Sequence, residues 1–366
     1  MRTIHKVLVF PAWDDNPYLN LLSLAPRTGG FEFSGSTTND SLRSAAANLG
    51  ARDVLHLHWT SPILQRCETD ADAWAALAQF TILLRDAQER GVRVIWTVHN
   101  QLPHELAHRD AEIALYRLLA ESVDVIHVMA PATARLVADI CELPADRVRM
   151  LPHPSYLGVY GVPPSKAEAR RMLGVGADEP TVLFLGQMRP YKGLSTLLTA
   201  VRTLAERGEP TPTLLLAGSA KPEAQEEIER ALPAGARVIT RFGFVPDGDV
   251  GTWFAAADVA VFPYSAILNS GSLHLSAAFE VPAILPREEH LVEQFGAEPW
   301  VRFFDTEAPV ESMARLLSDV VRDPVGPNLT PEFDRFNGSI SPWLVSAQYS
   351  RLLEELVGEP PEHSSS

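Results

Sequence analysis

At 366 residues the chain is too long for one ordinary core, so two domains are the natural expectation. Charged residues at 21% and hydrophobic residues at 46% exclude a disordered or fibrous chain. A formal net charge of −15 excludes nucleic acid as the main partner, which needs a basic face, and argues against whole-surface attraction to anionic membrane while leaving room for a local membrane-contact patch. The two cysteines, Cys67 and Cys141, lie far apart and supply neither a disulfide framework nor metal-ligand spacing, which fits a reducing cytoplasm or the inner face of its membrane. The apolar part of MRTIHKVLVF is too short for a signal peptide, no run reaches the length of a membrane span, and EPPEHSSS reads as a frayed tail.

In chain order, apolar β-like runs at 6–11, 53–58, 92–99, 124–129 and 147–151 predict strands. Helical periodicity lies between them, clearest at 71–89, 105–121 and 131–142, with Pro131 at a helix start where its missing N–H costs nothing. The stretch 151–165, LPHPSYLGVYGVPPS, has no helical period and reads as a linker. Alternation then restarts with strands predicted at 181–185, 213–217, 237–240, 258–263, 281–285 and 301–304, followed by helices at 310–321 and 342–357. Repeated βα alternation implies an α/β chain of two Rossmann-like, doubly wound parallel sheets. The expected boundaries are 1–160 and 161–341, with the 342–357 helix packing back on the first domain. Ligands in such sheets bind outside the carboxyl ends of the strands, here expected in a cleft between the domains.

The most informative stretch is TVLFLGQMRPYKGLSTLLTA, 181–200. A buried-type strand ends at Gly186, a loop carries Arg189 and Lys192, and Gly193 opens an amphipathic helix with Leu194, Leu197, Leu198 and Val201 in phase. Backbone N–H groups, a helix dipole and two cations make this an anion site suited to a diphosphate. Lys192 is notable because the chain is arginine-biased, its other lysines being Lys6, Lys166 and Lys221. A second anion-friendly helix start is Asn269-Ser270-Gly271-Ser272, where simple N-capping is the alternative. In Arg241–Pro246, Phe244 is placed to border a nucleobase or to form a core edge.

In order and spacing, GQMRPYKG, LLLAGS, RFGFVPDGDVGTWFAAADVAVFPY and NSGSLHLSAAFEVPAI resemble the donor domain of GT-B glycosyltransferases, family-4-like members above all. DNPYLNLL, DVLHLHW and IWTVHNQLPHE resemble the acceptor domain of bacterial exopolysaccharide and mannosyltransferase-type members, and WLVSAQYSRLLEEL the crossover helix that ends that fold. The resemblance implies that Gly186, Arg189, Lys192 and Gly193 hold the nucleotide diphosphate, that Asn269, Ser270, Gly271 and Ser272 contact phosphate or sugar, and that His99 sits at the reaction centre. It implies a nucleotide-sugar donor (GDP-mannose or a UDP-hexose), a glycan or lipid-linked acceptor, polysaccharide biosynthesis as the setting, and a monomer or homodimer. One departure matters. The two glutamates, with seven residues between them, that many relatives carry fall here on Ile267 and Leu275, and Glu280 is no obvious substitute. Retention therefore cannot be inherited, and an inverting reaction needing one general base stays open.

That base must reach the acceptor hydroxyl and have a suitable pKa. His99, ending the strand in TVHN, and Asp15, beside Asp14 after the first strand, are the expected catalytic residues; Glu105 is equally a helix-start carboxylate. His56 and His58 share a strand face, and His99 lies near His104, yet without a recognised ligand set they read as half-buried structural histidines and no metal site is expected. With no acidic pair at a donor-half strand end, Arg189 and Lys192 are expected to neutralise the leaving group, so transfer is expected to be metal-independent and without cofactor. A catalytically silent sugar- or nucleotide-binding protein and a sugar-nucleotide epimerase are the alternatives.

Overall fold

A computed structural model describes residues 4–13, 16–265, 268–323 and 328–358. Two units emerge: unit 1 runs to Pro154 and resumes from Pro342, and unit 2 is Ser155–Ser341. Each is built on a six-stranded parallel sheet.

In unit 1 the strands are β1 (His5–Phe10), β2 (Phe31–Gly35), β3 (Val54–Leu57), β4 (Arg93–Thr97), β5 (Val125–Val128) and β6 (Val148–Met150), ordered β2-β1-β3-β4-β5-β6. Strands β3 and β5 are buried along their whole length, the signature of a parallel sheet covered on both faces. The direction of winding reverses between β1 and β3, which places the binding crevice of this sheet at their carboxyl ends. The helix Pro342–Val357 packs in this unit through Val345, Tyr349 and Leu353, at i, i+4 and i+8. It is pinned by Ser346, whose hydroxyl donates to Leu22 O (2.8 Å) and accepts from Ala25 N (2.7 Å).

In unit 2 the strands are β7 (Thr181–Leu185), β8 (Thr213–Gly218), β9 (Val238–Phe242), β10 (Val259–Val261), β11 (Ala283–Pro286) and β12 (Val301–Phe304), ordered β12-β11-β10-β7-β8-β9. Here the winding reverses between β7 and β10. The helix Leu194–Glu206 buries Leu194, Leu197, Leu198, Val201 and Leu204 against Val182, Phe184, Leu214 and Leu216. Each buried leucine contributes about 2 kcal/mol relative to exposure. The amino end of β7 is bolted by buried Asp258, which accepts from Thr181 N (2.7 Å), Arg170 Nη2 (2.9 Å) and Lys166 Nζ (2.5 Å).

Three differences from the sequence reading have physical causes. Strand β2, FEFSG, was not expected: only Phe31 is fully buried, because it is an edge strand with one covered face. The helix expected from residue 105 begins at Arg109, so Glu105 lies outside it and Asp110 and Glu112 are its first-turn acids. The helix expected over 131–142 reduces to Thr133–Leu136; around and beyond it, bonds of the i−3 type (Thr133 N to Ala130 O, Ala138 N to Arg135 O, Ile140 N to Val137 O) replace a continuous i−4 ladder.

Candidate active site

The anion-site residues of unit 2 come together where its sheet reverses. β7 is followed directly by Gly186, whose φ of 139° is open only to glycine at low cost. The following loop is stitched down by Gly186 N to Ala217 O (2.9 Å) and Met188 N to Ser219 O (2.8 Å). A single 3-10 turn, Pro190–Lys192, then ends at Gly193, with φ 66°. A Cβ there would stand 1.8 Å from Pro263 O, so glycine is what lets the loop after β7 lie directly on the end of β10. Ser265 N donates to Tyr191 O (2.9 Å) and closes the seam from the other side. Lys192 Nζ is consequently held at the reversal point: it donates to Tyr264 OH (2.8 Å) and lies 4.1 Å from the centre of that ring. One of its three donors is thereby committed and its charge is aimed by the contact. Arg189, half-buried, precedes the turn.

The helix Gly271–Ala278 starts opposite. Ser270 is its N-cap, accepting from Leu273 N (3.3 Å), and is buried, so that hydroxyl is spent on the helix, as the capping alternative anticipated. Ser272 is the hydroxyl facing the β7 loop: a Cβ built on Gly186 would lie 3.8 Å from its Oγ. The amides of Gly271 and Ser272 precede the first helical hydrogen bonds and belong to the positive end of the helix. Asn269 is half-buried beside them, Phe244 is 70% exposed past the end of β9, and Ile267 lies outside the described residues. Leu275, at the second of the two positions where the resemblance implies an acid, is buried within the helix. Glu280, in the left-handed region at φ 56°, accepts from Thr330 Oγ1 (2.6 Å) and is occupied there.

Unit 1 presents a cluster of rings at the carboxyl ends of β1, β3 and β4. His99 stands two residues beyond Thr97, half-buried, with Nε2 3.0 Å from His58 Nδ1. Trp59 stacks on it with centroids 4.0 Å apart, and Tyr18 meets both His58 and His99 edge-on. Burial, and then the neighbouring His127, His153 and His56, hold the His99 pKa well below the usual imidazole value; burial and His99 do the same to His58. Both are neutral near pH 7, and the contact is one N–H given to one lone pair. The other expected catalytic residue, Asp15, and its neighbour Asp14 lie outside the described residues.

Beneath this pair runs a polar chain whose direction is fixed from one end. His127 Nε2 lies 3.0 Å from Leu151 O, which only accepts, so that nitrogen carries hydrogen. Burial pushes the His127 pKa down to about 4, leaving Nδ1 a lone pair that accepts from Thr97 Oγ1 (2.9 Å). Thr97 then accepts from His56 Nε2 (2.7 Å), and His56 Nδ1 accepts from Tyr349 OH (2.7 Å). Four elements are joined, and both nitrogens of His56 are used in hydrogen bonds, the structural role foreseen as the alternative to metal ligation.

One buried acid escaped the sequence reading. Glu112 accepts from Thr60 Oγ1 and from Gln65 Nε2 (2.5 Å), and burial raises its pKa. Gln65 Oε1 in turn accepts from Ala107 N (2.7 Å) and His108 N (3.0 Å), anchoring the far end of the loop that begins at His99. A signal existed: Glu112 falls in phase with Leu115, Tyr116 and Leu119 on the apolar stripe of its helix.

Residues 179–319 match the family model described as glycosyl transferases group 1. Over 292 residues, 78% of this chain and 76% of the relative, the sequence is 27% identical to the GDP-mannose:glycolipid 4-beta-D-mannosyltransferase of Xanthomonas campestris pv. campestris. It is 30% identical over 195 residues, 48% of this chain and 45% of the relative, to the D-inositol 3-phosphate glycosyltransferase of Thermobispora bispora. Among solved structures, the sucrose-phosphate synthase of Thermosynechococcus elongatus shares the fold at TM-score 0.76 and 16% identity, covering 96% of this chain and 99% of that one. Anabaena HepE in complex with UDP-glucose does so at TM-score 0.72 and 14% identity, covering 96% and 100%.

Proposed function

We propose that this chain is a GT-B glycosyltransferase, its second unit matching the glycosyl transferases group 1 model, and that it moves a hexose from GDP-mannose or a UDP-hexose to a hydroxyl of a glycan or lipid-linked acceptor, with no metal ion. The observation that carries this is Lys192, held by Tyr264 at the reversal point of unit 2 beside Gly186 and the Gly271–Ser272 amides. A pyrophosphate leaving group needs positive charge and N–H donors where its oxygens emerge, and that edge supplies both. Arg189 is the second cation. Phe244 offers an exposed face to the base.

The outcome we propose is inversion, with His99 as general base. The acceptor oxygen forms the new bond to the anomeric carbon as the bond to diphosphate breaks, and the hydroxyl proton passes to His99 Nδ1. In the tautomer this step requires, His99 Nε2–H donates to His58 Nδ1, 3.0 Å away, and keeps donating as the imidazolium forms. Support comes from the neutral state of His99, from buried Leu275 at one of the usual acidic positions, and from the Xanthomonas relative, named for making a β-mannoside from GDP-mannose. Asp15 remains a proposed second catalytic group. The test is incubation of GDP-mannose and UDP-glucose with saccharide acceptors in EDTA, the product anomer being read by NMR. A β-linked product from an α-linked donor is expected. An α-linked product, or activity that returns only on adding Mg²⁺, overturns the corresponding part.

A further inference from the structure

The rings around His99 extend outward. Trp13 lies against Trp59, centroids 4.6 Å apart at 37°, and Trp59 stacks on His99 at 19°. Both indoles are half-buried, whereas Tyr18 and His58 behind them are closed off. All of them stand past the carboxyl ends of β1 and β3, where the winding of unit 1 reverses. No strand or helix places Trp13 for the core: it precedes Asn16, whose side chain caps the helix Pro17–Leu22 by accepting from Tyr18 N (3.1 Å).

We infer that Trp13 and Trp59 form the acceptor subsite, and that its occupant is an unphosphorylated sugar ring stacked on an indole face. This rests on the reading of His99 as base and names the class of acceptor that base serves. A pyranose carries two kinds of surface: hydroxyls around its rim and a patch of C–H bonds on a face. The electron-rich face of an indole attracts that patch, and a large rigid ring gives contact area at little entropic cost. The ring cluster is also the wrong medium for a phosphate. His58 and His99 are neutral near pH 7, so the surface offers no charge from these groups, whereas a phosphorylated acceptor calls for paired cations. Of the two acceptor types named in the relatives, a glycolipid and an inositol 3-phosphate, the geometry selects the saccharide end of the first.

The experiment is a tryptophan-fluorescence titration of the full chain with methyl β-cellobioside, octyl β-D-glucoside, 1-octanol and myo-inositol 1-phosphate, followed by acceptor kinetics. Both glycosides should quench or shift the emission, with 1-octanol and the inositol phosphate inert at the same concentrations. Trp13→Ala should weaken glycoside binding about ten-fold and raise the acceptor KM more than it lowers kcat, while Trp13→Phe stays within about three-fold of the parent. Nucleotide affinity by calorimetry and the melting temperature check that each variant is folded. An equal response to 1-octanol means a lipid face and overturns the assignment, as does preference for the inositol phosphate or an unchanged KM in Trp13→Ala. Glycoside binding at Trp13 without any transfer upholds the subsite and removes the catalytic reading instead.

Discussion

The two sheets end in different materials. At the carboxyl edge of unit 2 the working parts are backbone: two left-handed glycines, a single 3-10 turn, a short helix start and a lysine aimed by one tyrosine. At the corresponding edge of unit 1 they are side chains: two histidines, two tryptophans and a tyrosine packed ring on ring, with a hydrogen-bonded chain beneath. The first arrangement suits an anion that must be gripped by charge and amides. The second suits a proton that must be taken by a neutral base and a sugar that must be oriented. One edge is electrostatic; the other is a neutral frame for an imidazole.

Substitutions can break each half of that contrast separately. The largest effect is expected from His99→Ala, which should lower turnover by roughly 10²- to 10⁴-fold, the usual worth of a general base. Nucleotide binding to unit 2 should be unchanged by calorimetry. A loss of nucleotide affinity in that variant would mean that the division of labour is wrong. Gly193→Ala comes next, because the new methyl would sit 1.8 Å from Pro263 O in a left-handed residue. We expect a loss of about 3 kcal/mol or more in stability, seen in denaturant melts, with unit 2 the unit affected.

Tyr349→Phe should cost about 1–3 kcal/mol, since it leaves the buried His56 Nδ1 with no donor while keeping the ring. It tests whether the directed chain from Leu151 to Tyr349 matters to unit 1. A variant as stable as the parent would show that the chain carries no weight.

Acid should separate the units as well. Four histidines of unit 1 have depressed pKa values, His127 falling to about 4, against His274 in unit 2, also at about 4. Between those values and the unfolded value near 6.5 the unfolded chain binds more protons, so stability is full above pH 6.5 and is lost as pH falls toward 4. Unit 1 should lose more of it, and hydrogen exchange at pH 7 and pH 5 should show its strands opening first. Equal protection losses in both units would contradict this.

The same contrast explains what was legible in the sequence. Gly186, Arg189, Lys192 and Gly193 fall within eight residues, so their loop could be read as an anion site before any fold was known. The alternation of apolar runs likewise carried the two parallel sheets, since buried parallel strands are written as local runs of Val, Leu and Ile. Ser270 was read with both roles open, and the structure spends its hydroxyl on the cap. The ring cluster could not be read in the same way. His56 meets Tyr349 across 293 residues, and His58 meets His99 across 41. Nothing local marks Trp13 or Trp59 as neighbours. Strand β2 was missed because an edge strand with one covered face lacks the apolar run that identified the others. The start of the helix at Arg109 was misplaced because His108, which bonds Asp70 and the Cys67 carbonyl, holds the preceding residues in a loop by contacts that no periodicity records.

The central claim is that unit 2 grips a nucleotide diphosphate through Lys192 without a metal ion. Calorimetric titration of UDP and GDP in EDTA, into the parent and Lys192→Ala, tests it most directly. The account predicts that at least one of the two binds the parent and that the substitution weakens that binding about 10- to 100-fold, the range for a charge-assisted hydrogen bond. Equal affinity in the two proteins, or binding that vanishes in EDTA and returns with Mg²⁺, would contradict it.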